Sequence, residues 1–125
     1  MKVAVLGAGA WGTAISGVLA KRLEVCLWAR DPALARAIAQ TRRNERYLPG
    51  FALPAALAVT DDLDAATAGA ALVLAATPVA GLRELLKRIS PESVVWLCKG
   101  FEEGSGALPH RIAQETLKNG ARFGA

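Results

Sequence analysis

Apolar residues along this chain fall into short runs that are separated by stretches with a helical period. The runs contain few alternating polar residues, which is typical of strands buried on both faces of a sheet. They cover residues 3–6, 25–28, 57–60, 71–76 and 93–98. The pattern therefore predicts five strands, most of them in the interior of a sheet.

Helical patterns occupy the intervals between these runs. After the first run, apolar residues recur at the spacing of one helix face, which is expected to lie on the sheet: Trp11, Ala14, Ile15, Val18 and Leu19. Asp31-Pro32 begins a second helix, because an aspartate can cap a helix N-terminus and a proline suits the first helical position. Further helices are predicted over residues 61–69, 79–89 and 105–117.

The order of these elements predicts the fold class. Strands that alternate with helices indicate an α/β fold with a doubly wound, mostly parallel sheet and helices on both faces. Residues 41–56 are polar and turn-rich, and they predict a long connection of the kind that often carries function. In the final residues, 119–125, a further strand could begin as the sequence ends.

Composition indicates a globular protein with one domain. The chain has 125 residues, of which 53% are hydrophobic, and this excludes a disordered chain. No apolar run reaches the roughly 18–20 residues of a transmembrane helix, and the start lacks the apolar core of a signal peptide. A cytoplasmic protein without an integral membrane segment is therefore expected.

The two cysteines, Cys26 and Cys98, both lie within predicted strands. A cysteine in such a place behaves as a small apolar residue, so both are expected as reduced thiols in the buried sheet. The spacing of cysteine and histidine does not suggest zinc, and no metal site is predicted. The one histidine, His110, falls in the last helix and is expected to be structural or exposed.

The charge pattern favours small ligands over nucleic acid. The formal charge is +4, from 15 Lys and Arg against 11 Asp and Glu. The basic residues are scattered and aromatic residues make up only 6% of the chain, which disfavours nucleic acid as a partner. A modest positive field suits small phosphorylated molecules, and a phosphorylated substrate is the partner we expect.

A glycine-rich segment, GAGAWG at residues 7–12, joins the first strand to the first helix. In a dinucleotide-binding turn, Gly7 permits the tight bend, Gly9 lets bare backbone approach the pyrophosphate, and Gly12 allows close packing of the helix. The alternative is a turn whose glycines serve packing alone. Strand, turn, helix and second strand fit the span of one βαβ unit, which favours a Rossmann-type dinucleotide-binding domain over residues 1–125.

Ligands in such sheets bind beyond the carboxyl ends of the strands. Arg30 follows the second strand, where NAD-specific domains place a carboxylate and an arginine accommodates a 2′-phosphate. Because Ala29 takes the carboxylate position, NADP(H) or use of both cofactors is favoured, the alternative being a merely solvated Arg30. Lys99 follows the fifth strand, where its ammonium could hold a phosphate or lie at the surface without a ligand. Neither a nucleophile–base pair nor paired carboxylates are evident.

Four segments, taken together in order and spacing, resemble the N-terminal domain of bacterial NAD(P)-dependent glycerol-3-phosphate dehydrogenase. They are GAGAWGTA at 7–14, LWAR at 27–30, NERYLP at 44–49 and CKGFE at 98–102. The resemblance runs along nearly the whole chain. It implies a cytoplasmic oxidoreductase that reduces dihydroxyacetone phosphate to sn-glycerol 3-phosphate with NAD(P)H, for phospholipid synthesis.

The resemblance also implies a set of binding residues that come from separate turns of the domain. It places Ala10 and Trp11 beside the pyrophosphate, Arg30 at the phosphate of the adenosine ribose, Tyr47 near the cofactor, Thr77-Pro78 at the nicotinamide, and Lys99 at both the cofactor and the substrate phosphate.

By the same resemblance, the catalytic lysine and most substrate-binding residues belong to a C-terminal helical domain, which this sequence lacks. The chain is then the cofactor-binding half of a two-domain enzyme, contains no catalytic residue, and is expected to be inactive alone. Two alternatives stay open. One is another two-domain NAD(P)-dependent reductase, of the ketopantoate or hydroxyacid type, and the other is a non-catalytic dinucleotide-sensing module.

Overall fold

The computed structural model describes residues 1–118 and 120–125. Its main sheet has six strands: β1 Lys2–Leu6, β2 Glu24–Trp28, β5 Ala58–Thr60, β6 Leu72–Ala75, β7 Ser93–Trp96 and β8 Arg122–Gly124. A separate antiparallel pair consists of β3 Arg43–Asn44 and β4 Leu48–Ala52. The helices are α1 Ala10–Leu19, α2 Pro32–Thr41, α3 Leu63–Thr67, α4 Val79–Lys87 and α5 Pro109–Thr116.

The strands of the main sheet are all parallel and lie side by side in the order β5-β2-β1-β6-β7-β8. From β1 the chain moves outward to β2 and β5, then crosses back to β6 and moves outward on the other side. The direction therefore reverses between β1 and β6. In sheets of this kind, the crevice for a ligand forms beyond the carboxyl ends of the strands at the reversal.

Side chains that alternate along the strands fill two separate cores. In β1, Ala4 and Leu6 belong to the core that α3, α4 and α5 cover, whereas Val3 and Val5 belong to the core beneath α1 and α2. The predicted doubly wound α/β fold is thereby confirmed. Within the described part of the chain, no helix combines the length and the apolar character needed to cross a membrane.

The predicted strands are all present, with ends that differ by at most two residues. A further strand, β8, forms in the final segment, of which Asn119 lies outside the described residues. The predicted start of the last helix is wrong, because α5 begins at Pro109 rather than at Ser105. Gly106 has φ +72°, in the left-handed region, and a right-handed helix cannot pass through that conformation.

The long connection predicted over residues 41–56 contains a hairpin, formed by β3 and β4, that was not predicted. In this hairpin Arg43 lies opposite Ala52 and Asn44 lies opposite Leu48. β3 has only two residues, and β4 contains a proline and a glycine, so neither strand carries a pattern that can be recognised from sequence. The hairpin packs on α1, where a Cβ on Gly17 would lie 3.0 Å from the ring of Phe51.

The prediction of the buried face of α1 is only partly confirmed. Ile15 and Leu19 pack against the core as expected. Trp11 and Val18, expected against the sheet, are 81% and 60% exposed. The buried positions are small residues instead: Gly12, Thr13, Ser16 and Gly17. Small residues at these positions bring the helix close to its neighbours, so that Ile15 and Leu19 are only partly buried and Trp11 and Val18 are left exposed.

The cysteines occupy different environments. Cys26 is buried in β2 as expected, whereas Cys98 is only half-buried. The expectation for Cys98 is wrong because β7 ends at Trp96 and leaves Cys98 beyond the sheet. Both thiols are free, and burial raises the pKa of each, which keeps them protonated at neutral pH.

Candidate functional site

The turns that follow β1 and β6 touch at the point where the strand order reverses. Gly7 has φ +119°, and its N–H donates to the carbonyl of Trp28 at 3.0 Å. A Cβ on Gly7 would lie 3.0 Å from the carbonyl carbon of Ala76 and 3.2 Å from the nitrogen of Thr77. Both the backbone conformation and the close approach therefore require glycine at position 7.

The other two glycines of the turn have different surroundings. A Cβ on Gly12 would overlap the carbonyl oxygen of Gly7, so this residue lets α1 pack tightly against the turn, as predicted. A Cβ on Gly9 would meet no atom within 4 Å. The space over Gly9 is therefore open, whereas the space at Gly12 is filled by the protein itself.

The N-terminus of α1 opens beside this space. Gly9 is its N-cap and supplies no side-chain hydrogen bond to the first turn, whereas Asp31 and Asp62 cap α2 and α3 with their carboxylates. The first N–H groups of a helix have no acceptor within the helix. The end of α1, where Ala10 and Trp11 lie, can thus offer backbone donors to an anion.

Arg30 lies beyond the carboxyl end of β2 and is exposed, while its neighbour Ala29 is buried. The adjacent Asp31 uses one carboxylate oxygen to accept from the Ala33 N–H at 2.9 Å. Its other oxygen lies 3.4 Å from Nη1 of Arg46. The carboxylate that directly follows β2 in the sequence is therefore engaged within the protein, as the capping prediction for Asp31 requires.

The hairpin brings Tyr47 to the same edge of the domain. Its ring is partly exposed, and the guanidinium carbon of Arg46 lies 5.2 Å from the ring centroid. Asn44 of β3 is buried and donates to the carbonyl of Ala8, in the glycine turn, at 2.8 Å. Sequence reasoning missed Asn44 as a site residue; its only signal was its place at the head of the NERYLP segment.

The remaining predicted residues follow β6 and β7. Pro78 is the exposed N-cap of α4, and the neighbouring Thr77 hydroxyl is buried without a hydrogen-bond partner among the described residues. Lys99 is exposed and is followed by Gly100, which has φ +105°. Within residues 1–118 and 120–125, the Lys99 ammonium forms no salt bridge. It is therefore available to a ligand.

The structure thus brings the predicted residues to one edge of the sheet but not to one point. Arg30 and Lys99 follow β2 and β7, which are three strand spacings apart, or roughly 14 Å. The glycine turn and Thr77-Pro78 lie between them. His110 lies in α5, away from these residues, and its ring centroid is 5.4 Å from that of Phe123. It is exposed, which agrees with the expectation of a structural or exposed residue.

This arrangement fits an extended diphosphate ligand such as a dinucleotide. The open space over Gly9 and the uncapped start of α1 suit the pyrophosphate. The basic side chains of Arg30 and Lys99 lie toward the two ends of the edge. The unpartnered Thr77 hydroxyl offers one further polar group. Binding by the individual residues named from the sequence stays a prediction.

Comparisons with known proteins agree with this geometry. The family model described as NAD-dependent glycerol-3-phosphate dehydrogenase N-terminus matches residues 2–125. The chain is 56% identical, over 121 residues, to the glycerol-3-phosphate dehydrogenase (NAD(P)+) of Methylibium petroleiphilum, with 92% of this chain and 36% of that protein covered. It is 45% identical, over 129 residues, to the enzyme of the same name from Dechloromonas aromatica, with 100% and 39% covered.

A solved structure supports the same relationship. The crystal structure of glycerol-3-phosphate dehydrogenase from Coxiella burnetii matches with a TM-score of 0.85 and 29% identity, over 98% of this chain and 38% of that one. The chain therefore spans less than two fifths of the length of these relatives. The resemblance seen in the sequence is confirmed, and the chain belongs to the family of the NAD-dependent glycerol-3-phosphate dehydrogenase N-terminal domain.

Proposed function

We propose that residues 1–125 are the NAD(P)-binding domain of an oxidoreductase that reduces dihydroxyacetone phosphate to sn-glycerol 3-phosphate. The observation that carries the proposal is the glycine turn at the β1–β6 reversal, with its bend at Gly7, open space over Gly9 and close packing at Gly12. The reaction is the one that the resemblance implies, and it agrees with the name glycerol-3-phosphate dehydrogenase carried by relatives that are more than twice as long as this chain.

In this proposal each turn at the edge contacts a different part of the cofactor or substrate. Backbone N–H groups at the start of α1 bind the pyrophosphate, with Ala10 and Trp11 beside it. Tyr47 contacts the cofactor from the hairpin, and the Thr77-Pro78 turn borders the nicotinamide, which supplies the hydride when bound. Lys99 holds phosphate of the cofactor and of the substrate through its charge.

The proposal favours NADPH over NADH. A carboxylate at the end of the second strand would bind ribose hydroxyls, but Asp31 is occupied by the Ala33 N–H and by Arg46. Arg30 is exposed beside it. Directly after β2 the site therefore presents the guanidinium group of Arg30, whereas the carboxylate that follows it is already engaged, and a guanidinium group matches a 2′-phosphate.

The chain supplies only part of the site in this proposal. Hydride transfer needs donor and acceptor held together with water excluded, whereas the apolar side chains of Trp11, Leu97 and Phe101 are exposed. We expect the C-terminal helical domain to cover this edge and to contribute the catalytic lysine. The cytoplasmic location and the role in phospholipid synthesis belong to the same proposal.

Titration of the chain with NADPH, followed by the fluorescence of the nicotinamide, tests the assignment. We expect saturable binding that NADP+ displaces. Gly9→Val should abolish it without unfolding the chain, because the added side chain fills the open space over the turn. Ala37→Val, which adds bulk at an exposed position of α2, should leave binding unchanged.

Two results would contradict the proposal in different ways. If the folded chain shows no saturable binding of NADPH, the dinucleotide assignment is wrong. If the isolated chain oxidises NADPH in the presence of dihydroxyacetone phosphate, the division of the site between two domains is wrong.

A further inference from the structure

Asn44 joins two parts of the domain that are distant in sequence. It is 1% exposed, and its Nδ2 donates both to the carbonyl oxygen of Ala8 and to Oγ1 of Thr13, each at 2.8 Å. Ala8 lies in the glycine turn and Thr13 lies in the first turn of α1. One buried amide therefore bridges the two sides of Gly9.

The carbonyl oxygen of the Asn44 side chain accepts a hydrogen bond from the hairpin itself. Oδ1 of Asn44 accepts from the backbone N–H of Tyr47 at 3.3 Å. Both donors and the carbonyl oxygen of the side chain are thus used. The orientation of the amide follows from its partners, because the carbonyl of Ala8 can only accept.

The hairpin that carries Asn44 is held from its base by Arg42. This residue has φ +58°, and its Nη2 donates to the carbonyls of Pro54 and Leu57, each at 2.6 Å. The carbonyl of Arg42 in turn accepts from the N–H of Leu53 at 2.8 Å. Leu53 is buried. Three hydrogen bonds therefore fix the base of the hairpin, and with it the position of Asn44.

The bond to Ala8 has a consequence for the neighbouring donor. The carbonyl of Ala8 and the N–H of Gly9 belong to one planar peptide unit, in which a trans bond points them in opposite directions. With the carbonyl held toward the buried Asn44, the N–H of Gly9 is directed away from it. A Cβ on Gly9 would likewise meet only open space.

We propose that Asn44 is a positioning residue that directs the Gly9 N–H toward the bound pyrophosphate and couples the glycine turn to Tyr47. This inference rests on the proposed function, since it assumes that the turn binds a dinucleotide. Asn44 does not contact the cofactor in this proposal. It acts through the backbone of Ala8 and through the position of the hairpin.

Asn44→Asp, studied at a pH at which the introduced carboxyl is ionised, is the sharpest test, because the carboxylate has nearly the same shape but cannot donate to Ala8 or Thr13. We expect the dissociation constant for NADPH to rise by roughly tenfold or more, the effect of losing about one net hydrogen bond. Amide hydrogen exchange in residues 7–14 of the cofactor-free chain should also become faster. Ile38→Val, which removes a buried methyl group in α2, is the matched control and should change neither quantity.

Thr13→Val is the second test variant, for use if Asn44→Asp does not fold. It removes one acceptor and keeps the bond to Ala8, so we expect faster exchange at the start of α1 and a smaller loss of affinity. The inference is overturned if the folded Asn44→Asp variant binds NADPH as tightly as the Ile38→Val control, or if its affinity falls while exchange in the turn stays unchanged. Failure of the unmodified chain to bind NADPH would instead refute the proposed function.

Discussion

Arg83 holds the carboxylate of Glu102 through two parallel hydrogen bonds, from Nε to Oε2 at 3.0 Å and from Nη2 to Oε1 at 3.0 Å. Arg83 belongs to α4, which follows β6, and Glu102 belongs to the loop that carries Lys99 after β7. The same guanidinium lies 2.8 Å from Glu115 of α5. The pair therefore joins two neighbouring turns of the candidate site and ties both to α5.

Removing this connection should destabilise the domain. Both side chains are mostly buried, with 22% and 16% of their surface exposed, and a bidentate pair in such a place leaves an unpaired charge when one partner is lost. We expect Arg83→Gln to lower the melting temperature clearly more than Lys87→Gln. Lys87 pairs with Glu84 at the surface, where such pairs contribute little. Equal melting temperatures in scanning calorimetry would contradict this expectation.

The same pair should make stability depend on pH in the acid range. Hydrogen bonds from Arg83, and then from Ser105, lower the pKa of Glu102. A lowered carboxyl pKa gives a stabilisation that is complete above the ordinary value near 4.5 and is lost as pH falls through the value of the folded protein. The difference in melting temperature between the wild type and Glu102→Gln should therefore shrink as pH is lowered through that range. A difference that stays constant with pH would show that the ionised form of Glu102 makes no contribution.

Alanine at two glycines of the turn should have opposite consequences. Gly12→Ala places a methyl group on the carbonyl oxygen of Gly7, and overpacking of this kind typically costs about 1–3 kcal/mol. Gly9→Ala meets no protein atom within 4 Å, and the φ of Gly9 is −76°, so stability should change little. Urea unfolding of both variants measures the contrast. NADPH titration of Gly9→Ala should nevertheless show weaker binding, because the methyl group stands where the pyrophosphate is proposed to lie.

Arg30 should distinguish the two cofactors. If its guanidinium binds a 2′-phosphate, Arg30→Ala should cost NADPH binding about 1.5–3 kcal/mol and leave NADH binding nearly unchanged. Arg36→Ala removes an equally charged, exposed side chain from α2 and controls for the general loss of positive charge. Equal losses for NADPH and NADH in the Arg30 variant would refute the assigned role.

Much of the architecture could be predicted because its signals are local. The runs that became β1, β2, β6 and β7 are apolar without interruption, and the aspartates that cap α2 and α3 sit directly before the helices that they begin. The start of α5 was predicted wrongly although it has a local signal, since Pro109 is its first helical residue. The helical period continues through residues 105–108, but the left-handed conformation of Gly106 becomes visible only in the folded chain.

The sequence by itself determined the order of the helices and of the strands in the main sheet, and the glycine spacing at 7–12, since their signals are local. It also determined the family, because four segments match it in order and spacing. Only the tertiary structure decided which face of α1 is buried and what Asn44 does. Small residues of α1 occupy its fully buried positions and leave Trp11 and Val18 exposed, and Asn44 reaches Ala8 across 36 positions of sequence. Contacts of that separation arise from packing and topology, which no local pattern encodes.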